Sequence, residues 1–132
     1  MQLYLDADFF LALLKPNDRL KDFAKEFYEK NSAEHELLTS TASLLEIWFY
    51  LYRNNLRSEI PTALRAVKDL KIHMISFNSE DVGAGSVLAQ SHSLSPLDSI
   101  HAMLALRTDG IVSTDESFDR VPELKRIDFS KA

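Results

Sequence analysis

The sequence predicts an α/β fold: three layers, with helices on both faces of a mostly parallel central sheet of 4–5 strands. Three features of the 132 residues lead to it. The apolar run Leu3-Tyr4-Leu5 carries no charge until Asp6, as in a strand buried on both faces in the middle of a parallel sheet. Further short apolar runs, near residues 36–39, 72–75 and 110–113, alternate with helical patterns, which implies βαβ units. Only three glycines and four prolines punctuate the chain, with no repeat or linker, so short connections within a single domain over 1–132 are expected.

Taken in order, the first strand runs into the apolar segment Asp8 to Leu14, which Lys15-Pro16-Asn17-Asp18 ends as a turn or helix boundary. Arg19 to Lys30 reads as an amphipathic helix, with Leu20, Phe23, Ala24, Phe27 and Tyr28 on one stripe. Glu36 to Thr39 forms a second strand. Ser40, Thr41 or Ser43 caps the next helix, which runs toward Arg53 and is apolar round most of its circumference, so its burial is expected. Ile60 to Leu70 is a helix with Pro61 in its first turn, and Ile72 to Ile75 is a third strand. Asn78 or Ser79 caps a helix whose first turn carries Glu80 and Asp81. Ser95-Pro96-Leu97-Asp98 opens a helix to about Arg107, Gly110 to Ser113 is a fourth strand, and Lys125 to Phe129 holds a short fifth.

Composition narrows the function. With 45% hydrophobic and 27% charged residues the chain has the make-up of a soluble globular protein. No apolar run approaches the roughly 20 residues that span a bilayer. Met1 leads straight into a strand, so no signal peptide is expected. The absence of cysteine excludes disulfides and thiolate metal sites and fits a reducing cytoplasm. A net charge of −5 argues against nucleic-acid binding by bulk charge alone. It leaves open an enzyme that reaches phosphates through bound cations.

Ligands of open α/β sheets bind outside the carboxyl ends of the strands. Asp6 and Asp115 fall there, while Glu46 and Asp98 lie on helices able to flank the same edge. Each acid has a plain reading: Asp6 and Asp115 as turn residues, Glu46 as a helix-surface acid near Arg53, and Asp98 as part of a helix cap with Ser95 and Pro96. Together they point further. Clustered carboxylates repel one another unless a cation neutralises them. Hard Mg²⁺ or Mn²⁺ ions take such oxygen ligands, polarise phosphoryl oxygens and activate water, so phosphodiester hydrolysis is the chemistry expected.

The order and surroundings of these acids resemble the PIN-domain ribonuclease family, and within it the VapC-type toxins of prokaryotic toxin–antitoxin pairs. The resemblance covers nearly the whole chain. It is carried by Leu5-Asp6, by Ser43-Leu44-Leu45-Glu46, by the stretch from Leu94 through Asp98 to Ala102, and by the stretch from Ile111 through Asp115 to Asp119. The last two are the most specific. It implies that Asp6, Glu46, Asp98 and Asp115 hold Mg²⁺ or Mn²⁺ and carry RNA cleavage, with Ser113 as a polar neighbour. It also implies a small antitoxin partner, placing a basic side chain among the acids, and a homodimer. One departure is Asp8, where the family usually has a small polar residue; Asp8 and Asp119 are ranked as outer-shell acids.

Among the remaining residues, Arg53 and Arg57 are the first candidates to guide an RNA backbone, though solvated helix faces account for such cations more simply. Phe9, Phe10, Trp48, Phe49, Tyr50 and Tyr52 read as core, dimer interface or base-stacking platforms. His35, His73, His92 and His101 show no metal spacing and read as structural, with His101 alone near the proposed site. Two alternatives remain. A phosphoacceptor receiver module suits Asp6 and Asp8 but lacks the middle-strand Asp and late-strand Lys it needs. The other is a catalytically inactive scaffold of the same fold.

Overall fold

A computed structural model describes residues 1–131. Five parallel strands form one sheet: β1 (Gln2–Leu5), β2 (Glu36–Ser40), β3 (His73–Ile75), β4 (Gly110–Val112) and β5 (Arg126–Ile127), in the order β3-β2-β1-β4-β5. The central position of β1 explains its unbroken apolar run. Leu3 and Leu5 enter the core on one face and Tyr4 the core on the other. A receiver's sheet order, 2-1-3-4-5, would set β1 between β2 and β3. Here β1 lies between β2 and β4, which removes that alternative.

On the Leu3/Leu5 face pack α1 (Ala7–Leu14), α2 (Lys21–Asn31), α3 (Thr41–Arg53) and α4 (Ile60–Lys68), through Phe9, Phe10, Ala24, Ile47, Leu51 and Val67. The apolar segment after β1 is therefore a helix, started by Asp6, whose Oδ1 accepts the Ala7 N–H at 2.8 Å. On the Tyr4 face lie α5 (Ser79–His92) and α6 (Pro96–Ala105). Asn78 and Asp81 close a reciprocal cap at the start of α5, and Asp81 also binds Arg107 beyond the end of α6 at 2.7 Å. Gly85 brings the two helices close: a Cβ there would stand 2.8 Å from the Ile100 side chain.

One expectation fails. Helix α3 buries Ala42, Ser43, Ile47 and Leu51, but its opposite side leaves Leu45, Trp48, Phe49 and Tyr52 at 41–51% exposure. A helix on one face of a sheet buries only the stripe that meets it. The remaining apolar surface of α3 is open. Among the described residues no helix is long and apolar enough to cross a membrane.

Candidate metal centre

Strand pairing builds the site. Leu5 lies beside Val112, and the Asp6 N–H donates to the Val112 carbonyl at 3.1 Å, so the chain after β1 and the chain after β4 leave the sheet together. Ser113 joins them. Its hydroxyl lies 2.8 Å from Asp6 Oδ2 and 3.3 Å from Asp8 Oδ2, and its oxygen accepts the Asp115 N–H at 3.0 Å. Asp115 in turn caps the 3₁₀ turn Glu116–Arg120, accepting the Ser117 N–H at 2.9 Å. Helix α3 begins directly at the end of β2, capped by Ser40, and carries Glu46 to the same edge. Helix α6, capped by Ser95 with Pro96 at its start, brings Asp98 in its first turn and His101 one turn on.

The imidazole of His101 meets the acids. It is fully buried, with Nε2 3.0 Å from Glu46 Oε1 and 3.6 Å from Asp6 Oδ1. Asp6, Glu46 and His101 each place a possible ligand atom within 4.8 Å of the others. The structural role expected of His101 thus understates its place: it touches two of the four acids. Its spacing of one helical turn from Asp98 was the available signal.

Asp8 and Asp119, expected as outer-shell acids, each have defined partners. Asp8 Oδ2 accepts from the Thr114 backbone N–H at 2.8 Å and the Thr114 hydroxyl at 2.7 Å, pinning the loop that carries Asp115. Its Oδ1 is buried without a hydrogen-bond partner. Both oxygens of Asp119 bind Arg126, at 2.9 and 3.1 Å, in an exposed ion pair. Arg53 and Arg57 are exposed, and the Arg57 guanidinium stacks over Tyr52 at 4.5 Å. Replacing Asp8 by Ala removes the acceptor for the Thr114 N–H. The expected cost is about 2 kcal/mol, a fall in melting temperature on the order of 8 °C, readable by thermal denaturation; an unchanged melting temperature would deny Asp8 this role.

Burial pushes the Asp6 carboxyl well above the ordinary carboxylate range; His101 opposes the rise, while Asp8 and Glu46 add to it. Asp8 is raised by burial against its bonds from Thr114. Asp98 is raised by burial, with the charges of Asp115 and Glu46 adding to it. Burial lowers His101, but the Glu46 hydrogen bond and the charges of Asp6, Glu46 and Asp98 outweigh it and leave the pKa raised.

All four groups hold a proton more tightly folded than unfolded. Such groups favour the folded state below their unfolded pKa, near 4 for Asp, and that contribution is lost as pH rises through the folded value. Asp18, Asp81, Asp119 and Asp128, all lowered, have the opposite sign, but their effect falls below about pH 4. The metal-free protein is therefore expected to lose stability between about pH 5 and about pH 8. One pKa unit is worth about 1.4 kcal/mol, so a fall of several degrees in melting temperature is expected from scans in chelator. A flat or rising profile would contradict this electrostatic picture.

The residues fit a hard divalent cation. The donors are mainly carboxylate oxygens, their charges are mutually unfavourable without a counter-ion, and Asp8 keeps a buried oxygen unpartnered. Sheet order, helical layers and acid-lined carboxyl edge define a class: an α/β/α domain built round a carboxylate centre. The PIN domain family model matches residues 3–124, and the chain belongs to that family.

Solved structures share the fold. VapBC2 from Rickettsia felis, bound to a DNA fragment from its promoter, matches with a TM-score of 0.77 and 14% identity over 96% of this chain and 98% of that one. Mycobacterium tuberculosis VapC20, described as a Sarcin-Ricin loop cleaving toxin, gives 0.76 and 16% over 89% and 92%. VapBC-1 from nontypeable Haemophilus influenzae gives 0.76 and 15% over 99% and 100%. At these identities the likeness is one of fold. A sequence search of the curated proteins finds no match.

Proposed function

We propose that the chain is a Mg²⁺- or Mn²⁺-dependent endoribonuclease that acts as the toxin of a toxin–antitoxin pair in the cytoplasm. The observation that supports this reading is the approach of Asp6 and Glu46 to one another at His101, with the charges of Glu46 and Asp115 acting on Asp98 nearby, in a chain of the PIN family. When bound, the ion supplies Lewis-acid polarisation of a phosphoryl oxygen and acidifies water for attack. Asp6, Glu46, Asp98 and Asp115 would hold the ion, and a carboxylate oxygen among them not engaged by it would accept the attacking water's proton. Ser113 keeps Asp6 oriented, and Asp8 fixes the loop that presents Asp115. Arg53, at the exposed end of α3, and Arg57, in the 3₁₀ turn that follows it, steer the RNA backbone.

The fold likeness to VapBC complexes supports an antitoxin partner, and the open apolar side of α3 supports a protein interface there, with antitoxin or a second copy of the chain. The test is cleavage of an end-labelled structured RNA in Mn²⁺, Mg²⁺ or EDTA. Discrete cuts in either metal, absent in EDTA, are expected. Intact RNA under all three conditions, for substrates including an isolated ribosomal stem-loop, would favour the inactive scaffold.

A further inference from the structure

We propose that His101 is a positioning residue for this metal centre: clamped from behind by Tyr4, it holds Glu46 beside Asp6 in the arrangement an ion needs. The inference rests on the reading of these carboxylates as metal ligands. Its geometric basis is a closed chain of buried polar contacts. Ser40 Oγ lies 2.7 Å from the Tyr4 hydroxyl, that hydroxyl 2.7 Å from His101 Nδ1, and His101 Nε2 3.0 Å from Glu46 Oε1. The chain starts and ends on one helix. Ser40 caps α3, its Oγ accepting the Ala42 N–H at 3.2 Å, and Glu46 rides on the same helix.

Counting hydrogens sets the direction. Glu46 as a carboxylate only accepts, so Nε2 donates to it. In the neutral imidazole Nδ1 is then the acceptor for the Tyr4 hydroxyl, which in turn accepts from Ser40; in the imidazolium Nδ1 donates and the Tyr4 hydroxyl turns toward Ser40, the contact to Glu46 being the same in both. Every donor in the chain has one acceptor. β1, through Tyr4, and α6, through His101, are thereby tied to the first turns of α3.

The effect falls on Glu46. Its side chain is 27% exposed, and His101 is its hydrogen-bond partner among the described residues. A glutamate on an open helix surface samples several rotamers. One buried donor at Oε1 selects the rotamer that faces Asp6. His101 itself is poorly suited to ligate: Nε2 already donates its proton, and Mg²⁺ and Mn²⁺ prefer oxygen. Hydrogen-bond partners of ligating groups are worth about 10–100-fold in metal affinity.

The test is Mn²⁺ titration calorimetry on the full chain, with thermal scans to confirm folding, for wild type, His101→Leu, His101→Gln, Tyr4→Phe and the Tyr4→Phe/His101→Leu double variant. Affinity is expected to fall about 10–100-fold in His101→Leu. His101→Gln, which keeps an N–H donor near the Nε2 position, should recover most of it. Tyr4→Phe should cost several-fold alone and nothing further in the double variant, because both changes break one chain. A purely structural role for His101 would show neither the rescue nor the non-additivity.

If His101→Leu does not fold, Tyr4→Phe decides alone. Equal Mn²⁺ affinity in wild type and the folded variants overturns the inference while leaving the metal centre intact. A directly bound nitrogen in the pulsed electron paramagnetic resonance of Mn²⁺-loaded wild type also overturns it, by making His101 a ligand. Failure of the wild type to bind Mn²⁺ removes the metal reading itself, a result distinct from either.

Discussion

Asp98→Asn is expected to lower metal-dependent RNA cleavage by on the order of a thousandfold, the scale of losing a major electrostatic contributor to the transition state, in a chain that stays folded. The separation of function from fold follows from how α6 begins. Its cap is Ser95, whose Oγ accepts the Asp98 backbone N–H, and Pro96 stands in the first turn; the cap uses the Asp98 backbone, and the bond from the Ser95 hydroxyl to the Asp98 side chain is one an asparagine oxygen can still accept. That carboxylate is half-buried, and burial and the charges of Asp115 and Glu46 disfavour its ionised form. A neutral amide relieves the repulsion, so the melting temperature in chelator should hold or rise slightly. What is lost is an anionic oxygen for the ion. Undiminished cleavage by the folded variant would move the chemistry away from Asp98.

Asp6→Asn should show the sharpest trade between stability and activity. Asp6 is 3% exposed, and burial together with Asp8 and Glu46 works against its charge. Asparagine caps α1 about as well as aspartate, since its Oδ1 still accepts the Ala7 N–H. The Ser113 hydroxyl can turn toward Asp8, 3.3 Å away. Near pH 8 the metal-free variant should therefore melt roughly 4 °C or more above wild type, the equivalent of about 1 kcal/mol. Added Mn²⁺ should stabilise the wild type and leave the variant unmoved, and cleavage should vanish. Sites that bind cations commonly store this kind of destabilisation. A variant less stable than wild type at that pH would mean that the ionised Asp6 is favourably held without an ion.

The order of strands and helices was legible because each strand is a short apolar run and most helices carry their own caps. The run Leu3-Tyr4-Leu5 announced a two-faced strand, and Ser95-Pro96 and Asn78 marked helix starts that the structure repeats. The segment after β1 was harder. In an eight-residue helix that is nearly all apolar, no polar face shows the helical period. On α3 the residue types were clear but their destination was not. Trp48 and Phe49 are as apolar as Ile47 and Leu51, and periodicity does not say which stripe meets the sheet and which is left for a partner. The acids proposed for the site were chosen by their places at strand ends, in the first turn of α6 and within apolar α3. What escaped was lateral: the His101–Glu46 contact joins residues 55 apart in sequence, and the Asp8–Thr114 bonds join residues 106 apart. No local pattern carries such pairs, so Asp8 read as an outer-shell acid and His101 as a structural residue near the site.

The central claim is that these carboxylates form one divalent-cation site. The most direct measurement is diffraction from Mn²⁺-soaked crystals at the manganese absorption edge, with an EDTA-washed crystal as control. An anomalous peak in contact with the carboxylates of Asp6 and Glu46, at the carboxyl edge of β1 and absent after chelation, is the expected result. Well-ordered density for these side chains with no peak between them, at a Mn²⁺ concentration that supports cleavage, would contradict it.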